Sequence, residues 1–152
     1  MPQTPTMASA DSTDPVMRVG RWEELRGPAT SVRMAVFVHE QGIDSHMEMD
    51  ERDADCVHAV VFDVQGRPVA TGRLLPDAHI GRMAVLREER GRGFGAMVLR
   101  ALIEQARAQA MGEVRLHAQV SAIGFYERAG FTPVGEEYLE AGIVHRTMVR
   151  VL

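Results

Sequence analysis

The chain has 152 residues, 45% of them hydrophobic, and a formal net charge of −4 at pH 7. This composition fits one folded domain, and it lacks the basic excess that nucleic acid or an anionic membrane selects, so we expect neither partner. No lysine is present, which excludes a lysine Schiff base and a Walker-type phosphate loop. The single cysteine, Cys56, cannot form an internal disulfide or build a thiolate metal cage. We therefore expect a soluble cytoplasmic protein without a metal centre.

The predicted elements follow a polar stretch. Residues 1–15 are rich in Thr, Ser, Ala, Asp and Pro, which predicts a flexible N-terminal arm, and residues 16–152 are predicted to form one domain. In chain order, hydrophobic periodicity and Gly or Pro breaks predict a strand at 16–19, a helix at 28–41, strands at 56–63, 68–75 and 80–85, a helix at 95–111, a strand at 113–119, a short helix at 121–129, and strands at about 132–138 and 145–151. This order predicts an α/β fold with antiparallel hairpins and one parallel crossover.

A glycine-rich turn, residues 90–96 (Arg-Gly-Arg-Gly-Phe-Gly-Ala), lies between the strand that ends at Val85 and the longest helix. Glycines at such a turn let backbone N–H groups converge, and a helix N-terminus adds about +0.5 charge, so the turn predicts a phosphate site. Arg90 and Arg92 would be further donors. The alternative is a plain glycine-rich turn with solvated arginines. A dinucleotide fingerprint is disfavoured, because that motif opens a βαβ unit and this turn follows three antiparallel-looking strands.

The same turn resembles the Arg/Gln-x-x-Gly-x-Gly/Ala signature of the GNAT superfamily of N-acetyltransferases at Arg90, Gly93 and Gly95. Residues 81–85 are similar to the family's fourth strand, and residues 122–131 are similar to its Ala-x-x-Phe-Tyr-Glu-Lys-x-Gly-Phe block. The resemblance covers most of the chain from residue 16 onward. It implies a mixed, mostly antiparallel central sheet flanked by helices, with splayed fourth and fifth strands.

Two positions differ from the family's usual residues. Gln119 stands where the family often has Asn, and Arg128 stands where it has Lys. A Gln side chain has the same hydrogen-bonding groups as Asn and a longer reach, so the difference bears on individual contacts to pantetheine and leaves the coenzyme class unchanged.

Further motifs resemble the ElaA-like branch of these acetyltransferases. They are Val-Phe-Val-x-Glu-Gln at 36–41, Glu-x-Asp-x-x-Asp at 48–53, Gly-Arg-Leu at 72–74 and Gly-Ile-x-His-x-x-Met at 142–148. Part of this set is also similar to acyl-homoserine-lactone synthases, which share the fold. Those proteins usually have a Trp soon after the first Glu and a longer chain, and neither is found in this sequence. Such a synthase-like acyltransferase is the alternative within the superfamily.

The resemblance implies that acetyl-CoA is the acyl-donor substrate and that a primary amine attacks it directly in a ternary complex. Met83 or Ala84 is expected to supply the N–H that stabilises the oxyanion, and Tyr126 to protonate the leaving thiolate. Glu40 and His145 are the other candidate catalytic residues. The residues expected at the donor site are Met83, Ala84, Val85, Arg90, Gly91, Arg92, Gly93, Phe94, Gly95, Ala96, Gln119, Ser121 and Tyr126.

An acidic window is expected beside the acceptor end of the sheet, formed by Glu40, Glu48, Asp50, Glu51, Asp53 and Asp55. Such carboxylates could attract a cationic amine, and one with a raised pKa could take its proton. The alternative is a solvated acidic loop. A small-molecule amine is favoured over a protein acceptor, and the chain is expected to be a monomer or homodimer. From another functional class, the alternative is a module that binds acetyl-CoA without catalysis.

Overall fold

The structure is a computed structural model that describes residues 14–45 and 50–152. Residues 1–13 of the expected arm and Glu48 of the acidic window lie outside the described residues. The helices and strands are β1 (Val16–Gly20), α1 (Trp22–Arg33), β2 (Val57–Phe62), β3 (Pro68–Leu74), β4 (His79–Val85), α2 (Phe94–Ala108), β5 (Glu113–Gln119), α3 (Ile123–Arg128), β6 (Thr132–Glu140) and β7 (Ile143–Val151). Their order is the predicted one.

The seven strands form one sheet in the order β1-β2-β3-β4-β5-β7-β6. Neighbouring strands are antiparallel except β4 and β5, which are parallel. The parallel register consists of His79↔Arg115 and Ile80↔Leu116, at the beginning of β4. Beyond Ile80 the two strands diverge and leave a split in the sheet. The predicted mixed sheet with splayed fourth and fifth strands is therefore confirmed.

Helices α1 and α2 cover opposite faces of the sheet. Along β2, Ala59 and Val61 are buried in the core cluster that contains α2, whereas Val60 packs with Leu25 and Ala29 of α1. This alternation is the period-two pattern of a strand that is buried on both faces. The molecule thus has three layers, with the sheet in the middle, and the split between β4 and β5 is an opening in that middle layer.

A β-bulge distorts β4 beyond Ile80, where β4 no longer pairs with β5. Arg82 and Met83 oppose the single residue Gly72 on β3, and Arg82 has a φ of +50°. A Cβ on Gly72 would lie 2.5 Å from Met83 Sδ and 2.8 Å from Val98 Cγ1, so glycine is required where α2 approaches the bulge. Bulges re-aim the side chains and backbone groups next to them.

The first helix begins earlier than predicted. The sequence favours a helix that starts at Pro28, but α1 starts at Trp22. The reason is a local hydrogen bond at the helix start, in which the Arg21 N–H donates to Glu24 Oε1 over 2.9 Å. Pro28 is therefore an interior residue of α1 rather than its first turn.

The predicted end of this helix has a different geometry. Residues Met34–Glu40 form a π-helix that continues α1, and the Gln41 N–H donates to Val36 O over 3.0 Å, five residues back. A π-helical turn holds more residues than an α-helical turn, so it changes which side chains face the sheet, and such turns are frequent at functional sites.

Candidate active site

A cavity of 1020 Å³ occupies the split between β4 and β5. Tyr126 belongs to the core cluster on the α2 side of the sheet, and it lines this cavity. Glu40 and Gln41, which follow α1 on the opposite side, line it as well. The cavity in the split is thus lined by residues from both faces of the sheet.

The glycine-rich turn forms one mouth of the cavity. Gly91 and Gly93 have φ values of +83° and +85°, a region that favours glycine, and Gly93 is the N-cap of α2. The first N–H groups of an α-helix have no acceptor within the helix, and their dipoles favour an anion. The turn therefore has the geometry of a pyrophosphate site.

Arg90 forms a two-pronged ion pair with Glu40 at this mouth. Its guanidinium donates to the two Glu40 carboxylate oxygens over 2.6 and 2.8 Å, and its Nε donates to Val85 O over 3.1 Å. The hydrogen bond from Arg90 lowers the pKa of Glu40 below its usual value. Glu40 is thus held as an ionised carboxylate. The carboxylate that takes the proton of the amine is expected to have a raised pKa, and Glu40 does not have one.

Gln119 lies at the end of β5, on the wall opposite β4. Its Nε2 donates to Gln41 Oε1 over 3.1 Å, and Gln41 Nε2 donates back to Gln119 Oε1 over 3.5 Å. Because Gln41 follows the π-helix, this reciprocal pair joins the π-helix to β5. The longer reach of Gln compared with Asn fits this contact between β5 and the end of the π-helix.

Tyr126 is nearly buried, with 8% of its surface exposed, and it lines the cavity. Its ring makes edge-to-face contacts with Phe125 and Phe131, at centroid distances of 5.0 and 6.0 Å. Burial raises the pKa of the Tyr126 hydroxyl well above its usual value. A tyrosine hydroxyl is protonated at neutral pH, which is the state a general acid needs, and burial makes Tyr126 a weaker acid than a solvent-exposed tyrosine.

Two histidines and one glutamate line the other end of the cavity. His117 Nδ1 lies 3.0 Å from Glu140 Oε1, and His145 Nε2 lies 3.9 Å from Glu140 Oε2. His145 Nδ1 lies 2.7 Å from Ile143 O, and Tyr138 stacks on the His145 ring. The cavity is thus lined at this end by one carboxylate between two imidazoles.

Comparison with known proteins assigns the fold and the family. The model of the acetyltransferase (GNAT) domain matches residues 26–152. The chain belongs to the GNAT acetyltransferase family. It is 34% identical to the uncharacterized N-acetyltransferase YjcF of Bacillus subtilis over 136 residues, which are 87% of this chain and 96% of YjcF.

Two solved structures extend this comparison. Escherichia coli ElaA has a TM-score of 0.79 and 29% identity, covering 90% of this chain and 99% of that one. An acyl-CoA N-acyltransferase from Pseudomonas aeruginosa has a TM-score of 0.77 and 27% identity, covering 91% of this chain and 100% of that one. The resemblance to GNAT enzymes and to ElaA that the motifs indicate is confirmed. GNAT enzymes use acyl-CoA as donor, and the glycine turn and split of this chain fit such a substrate.

The structure gathers nearly all the expected GNAT site residues around one cavity. The residues that line it are Glu40, Met83, Ala84, Val85, Arg90, Gly91, Gly93, Phe94, Gly95, Ala96, Gln119, Ser121, Tyr126 and His145. Arg92 is the expected residue that does not belong to this lining. Its side chain is 65% exposed and lies 3.4 Å from Glu89 Oε1. The roles of the lining residues toward substrates remain predictions.

The prediction of an exposed acidic window is wrong for Asp50 and Asp53. Asp53 is buried and accepts hydrogen bonds from Arg33 and Arg73, at 2.9 and 2.7 Å to Oδ1. Asp50 accepts from Arg73 and Arg82, each over 3.0 Å. These arginines lower the pKa of Asp50 to about 2. Asp53 is thus enclosed in a buried network, and Asp50, whose side chain is 28% exposed, is paired with two arginines, so neither is an unpaired surface charge that attracts an amine.

Sequence reasoning missed Glu140 and Gln41. The sequence of β5 contains part of the signal for Glu140, namely the position of its partner His117. Leu116 and Ala118 are apolar and His117 between them is not, which places His117 on the opposite face of the strand. The pairing of Glu140 with that histidine depends on strand order, since β7 is inserted between β5 and β6. Local sequence patterns contain no information on that insertion.

Within residues 14–45 and 50–152, no group of three or more His, Cys, Asp or Glu side chains is arranged to hold a metal ion. Within the same ranges, no helix has the length and apolar character needed to cross a membrane. The Cys56 thiol is buried, and burial raises its pKa to about 11, so it is protonated at neutral pH.

Proposed function

We propose that the protein transfers an acetyl group from acetyl-CoA to a small-molecule primary amine within a ternary complex. The observation that carries this proposal is the cavity between β4 and β5, which is lined both by the glycine turn and by His117, Glu140 and His145. The pyrophosphate would bind at the turn and the first N–H groups of α2. The pantetheine arm would lie in the split, where β4 has backbone groups that β5 does not pair.

Alternation along β4 favours Met83 over Ala84 as the oxyanion donor. The Leu86 N–H donates to Val69 O on the β3 side, over 2.9 Å. Because successive N–H groups of a strand point to opposite sides, the Ala84 N–H points towards β3 and the N–H groups of Met83 and Val85 point into the split. A backbone N–H aimed at the developing oxyanion lowers the activation free energy by about 2.7–4 kcal/mol.

The reaction needs one acid and one proton acceptor. The deprotonated amine nitrogen attacks the thioester carbon, and the carbonyl oxygen becomes the oxyanion. When that intermediate collapses, the C–S bond breaks and Tyr126 gives its hydroxyl proton to the thiolate. The new amide nitrogen loses its extra proton, which restores the tyrosine hydroxyl. In the overall reaction, an ammonium ion and acetyl-CoA are converted into an amide, coenzyme A and one proton.

The test combines coenzyme binding with turnover. Acetyl-CoA at about 100 times its Kd should stabilise the native state by about 2.7 kcal/mol, which raises Tm by about 5–10 °C for a chain of this size. A panel of primary amines should then release the coenzyme A thiol. Binding without thiol release for any amine would support the non-catalytic module, and absence of binding would contradict the donor site.

Two matched variants test the role of the turn. The Arg90→Ala variant should weaken acetyl-CoA binding by about tenfold or more, because a charge-assisted donor is removed. Arg107→Ala is the control, since Arg107 lies in the last turn of α2 and its side chain is 45% exposed, against 44% for Arg90. Equal affinities of the two variants would contradict the assignment of Arg90.

A further inference from the structure

One face of β5 and β7 displays polar side chains to the cavity. Leu116, Ala118 and Met148 are buried in the core cluster on the α2 side. Since side chains alternate along a strand, His117 and His145 project from the opposite face, which no α2 residue covers. Both histidines line the cavity on that face.

The tautomer of His145 follows from its backbone contact. Its Nδ1 lies 2.7 Å from Ile143 O, and a carbonyl oxygen can only accept a hydrogen bond. Nδ1 must therefore hold a proton. In the neutral ring the lone pair is then on Nε2, the atom that faces Glu140. With 7% of its surface exposed, the His145 ring has little freedom to leave this arrangement.

Glu140 is oriented by the second histidine. Its Oε1 accepts a hydrogen bond from His117 Nδ1 over 3.0 Å, which leaves Oε2 directed at His145 Nε2 over 3.9 Å. Two acceptor atoms, one of them anionic, thus face each other. Their complement is a positively charged group with several N–H donors, and a primary ammonium has that chemistry.

We propose that Glu140 and His145 bind the ammonium form of the acceptor amine, with His117 as the positioning residue for Glu140. This inference rests on the acetyl transfer proposed above. The ammonium donates one hydrogen bond to Glu140 Oε2 and one to His145 Nε2. Its proton then moves to Nε2, which forms an imidazolium beside Glu140 and leaves the neutral amine with a lone pair for attack.

The other groups around His145 fit this role. From β6, Tyr138 stacks on the ring at 6.2 Å, and from β5 its register partner is Gln119. Gln119 has no charge, so Glu140 is the carboxylate that faces the ring from these strands. Arg82 lines the same cavity from β4, but its guanidinium donates to Asp50 over 3.0 Å.

The first test reads the tautomer and amine binding without turnover. In long-range ¹⁵N–¹H spectra of the full chain with coenzyme A bound, neutral His145 should be protonated at Nδ1 and bare at Nε2. Adding propylammonium should shift the His145 Nε2 signal. A proton on Nε2 in the neutral ring, or an unchanged Nε2 signal at saturating propylammonium, would overturn the inference.

The second test compares two nucleophiles and two variants. Glu140→Gln should lower kcat/KM for propylamine, a cation, by about tenfold, and for hydroxylamine, which is uncharged at neutral pH, by less than about twofold. Glu137→Gln is the matched control, because Glu137 is an exposed residue of the same strand. Equal losses for the two nucleophiles, or equal losses in the two variants, would overturn the inference.

The two proposals fail separately. If acetyl-CoA binds but neither nucleophile is acetylated, the transfer reaction is contradicted. The propylammonium spectra of wild type, Glu140→Gln and Glu137→Gln then decide the amine site. We expect the affinity of Glu140→Gln to be about tenfold weaker than that of the other two proteins, and equal affinities would reject the site.

Discussion

At the scale of single residues, Tyr126 and Tyr138 show how surroundings set the use of a hydroxyl group. The two tyrosines are the complete set in this chain. Tyr126 is nearly buried between Phe125 and Phe131 and lines the cavity close to α2. The Tyr138 hydroxyl lies 3.3 Å from Thr147 Oγ1 on the neighbouring strand. The first fits the proposed acid, and the second stabilises a hairpin.

Tyr126→Phe keeps the ring and removes the proposed proton donor. We expect turnover to fall by about 10²-fold, the low end for general acids, because a thiolate is a passable leaving group without protonation. Binding of acetyl-CoA and Tm should barely change. Steady-state kinetics and thermal unfolding measure these effects, and Tyr138→Phe is the control. If turnover falls equally in both variants, or in neither, Tyr126 has a packing role.

At the scale of elements, a buried charge network joins α1 to the sheet. Asp53 lies in a 3-10 helix, Glu51–Asp55, where it accepts hydrogen bonds from Arg33 of α1 and Arg73 of β3. The three side chains are 6% exposed or less. Removing one charge from such a buried group leaves the others uncompensated, at a high cost in folding free energy.

Asp53→Asn tests this network. We expect the free energy of unfolding to fall by about 3 kcal/mol, the lower part of the range for broken buried ion pairs, since Arg73 keeps its contact with Asp50. Urea denaturation should show a lower midpoint with an unchanged m-value. Asp55→Asn is the control, because Asp55 is exposed at the end of the same 3-10 helix. Equal midpoints for the two variants would rule out this role of Asp53.

The elements also show how far the sequence alone leads. Periodicity and glycine positions predict the order of strands and the turn at 90–96, because both are set by residues adjacent in the chain. The π-helix is not predicted, because over so short a segment the spacing of apolar residues does not distinguish i→i+4 from i→i+5 hydrogen bonds. The Arg90–Glu40 pair spans 50 residues. Contacts between elements so distant depend on the assembled sheet, so sequence patterns identify the residues but not their partners.

At the scale of the whole molecule, ionised carboxylates that pair with arginines link stability to pH. Asp50 has its pKa lowered to about 2 by Arg73 and Arg82, and the pKa of Asp53 is also lowered. A carboxylate with a lower pKa in the folded state stabilises the fold above its unfolded pKa, near 3.9. This stabilisation is lost as pH falls from about 4 to about 2.

Asp50→Asn isolates that contribution. The difference in unfolding free energy between wild type and variant should be constant above about pH 5 and should shrink between about pH 4 and 2, where Asp50 of the wild type becomes protonated. Denaturant titrations at several pH values measure this difference. If the difference stays constant down to pH 2, Asp50 does not contribute through its charge.

The split between β4 and β5 has a mechanical consequence for the molecule. Along this line the sheet is joined by the pairs of His79 with Arg115 and Ile80 with Leu116, whereas β5 and β7 are paired from Glu113 to Gln119. The sheet thus has fewer backbone hydrogen bonds along this line than between β5 and β7. If the angle between the two halves of the sheet changes, we expect the change to occur along this line, because the hydrogen bonds inside each half can then be kept.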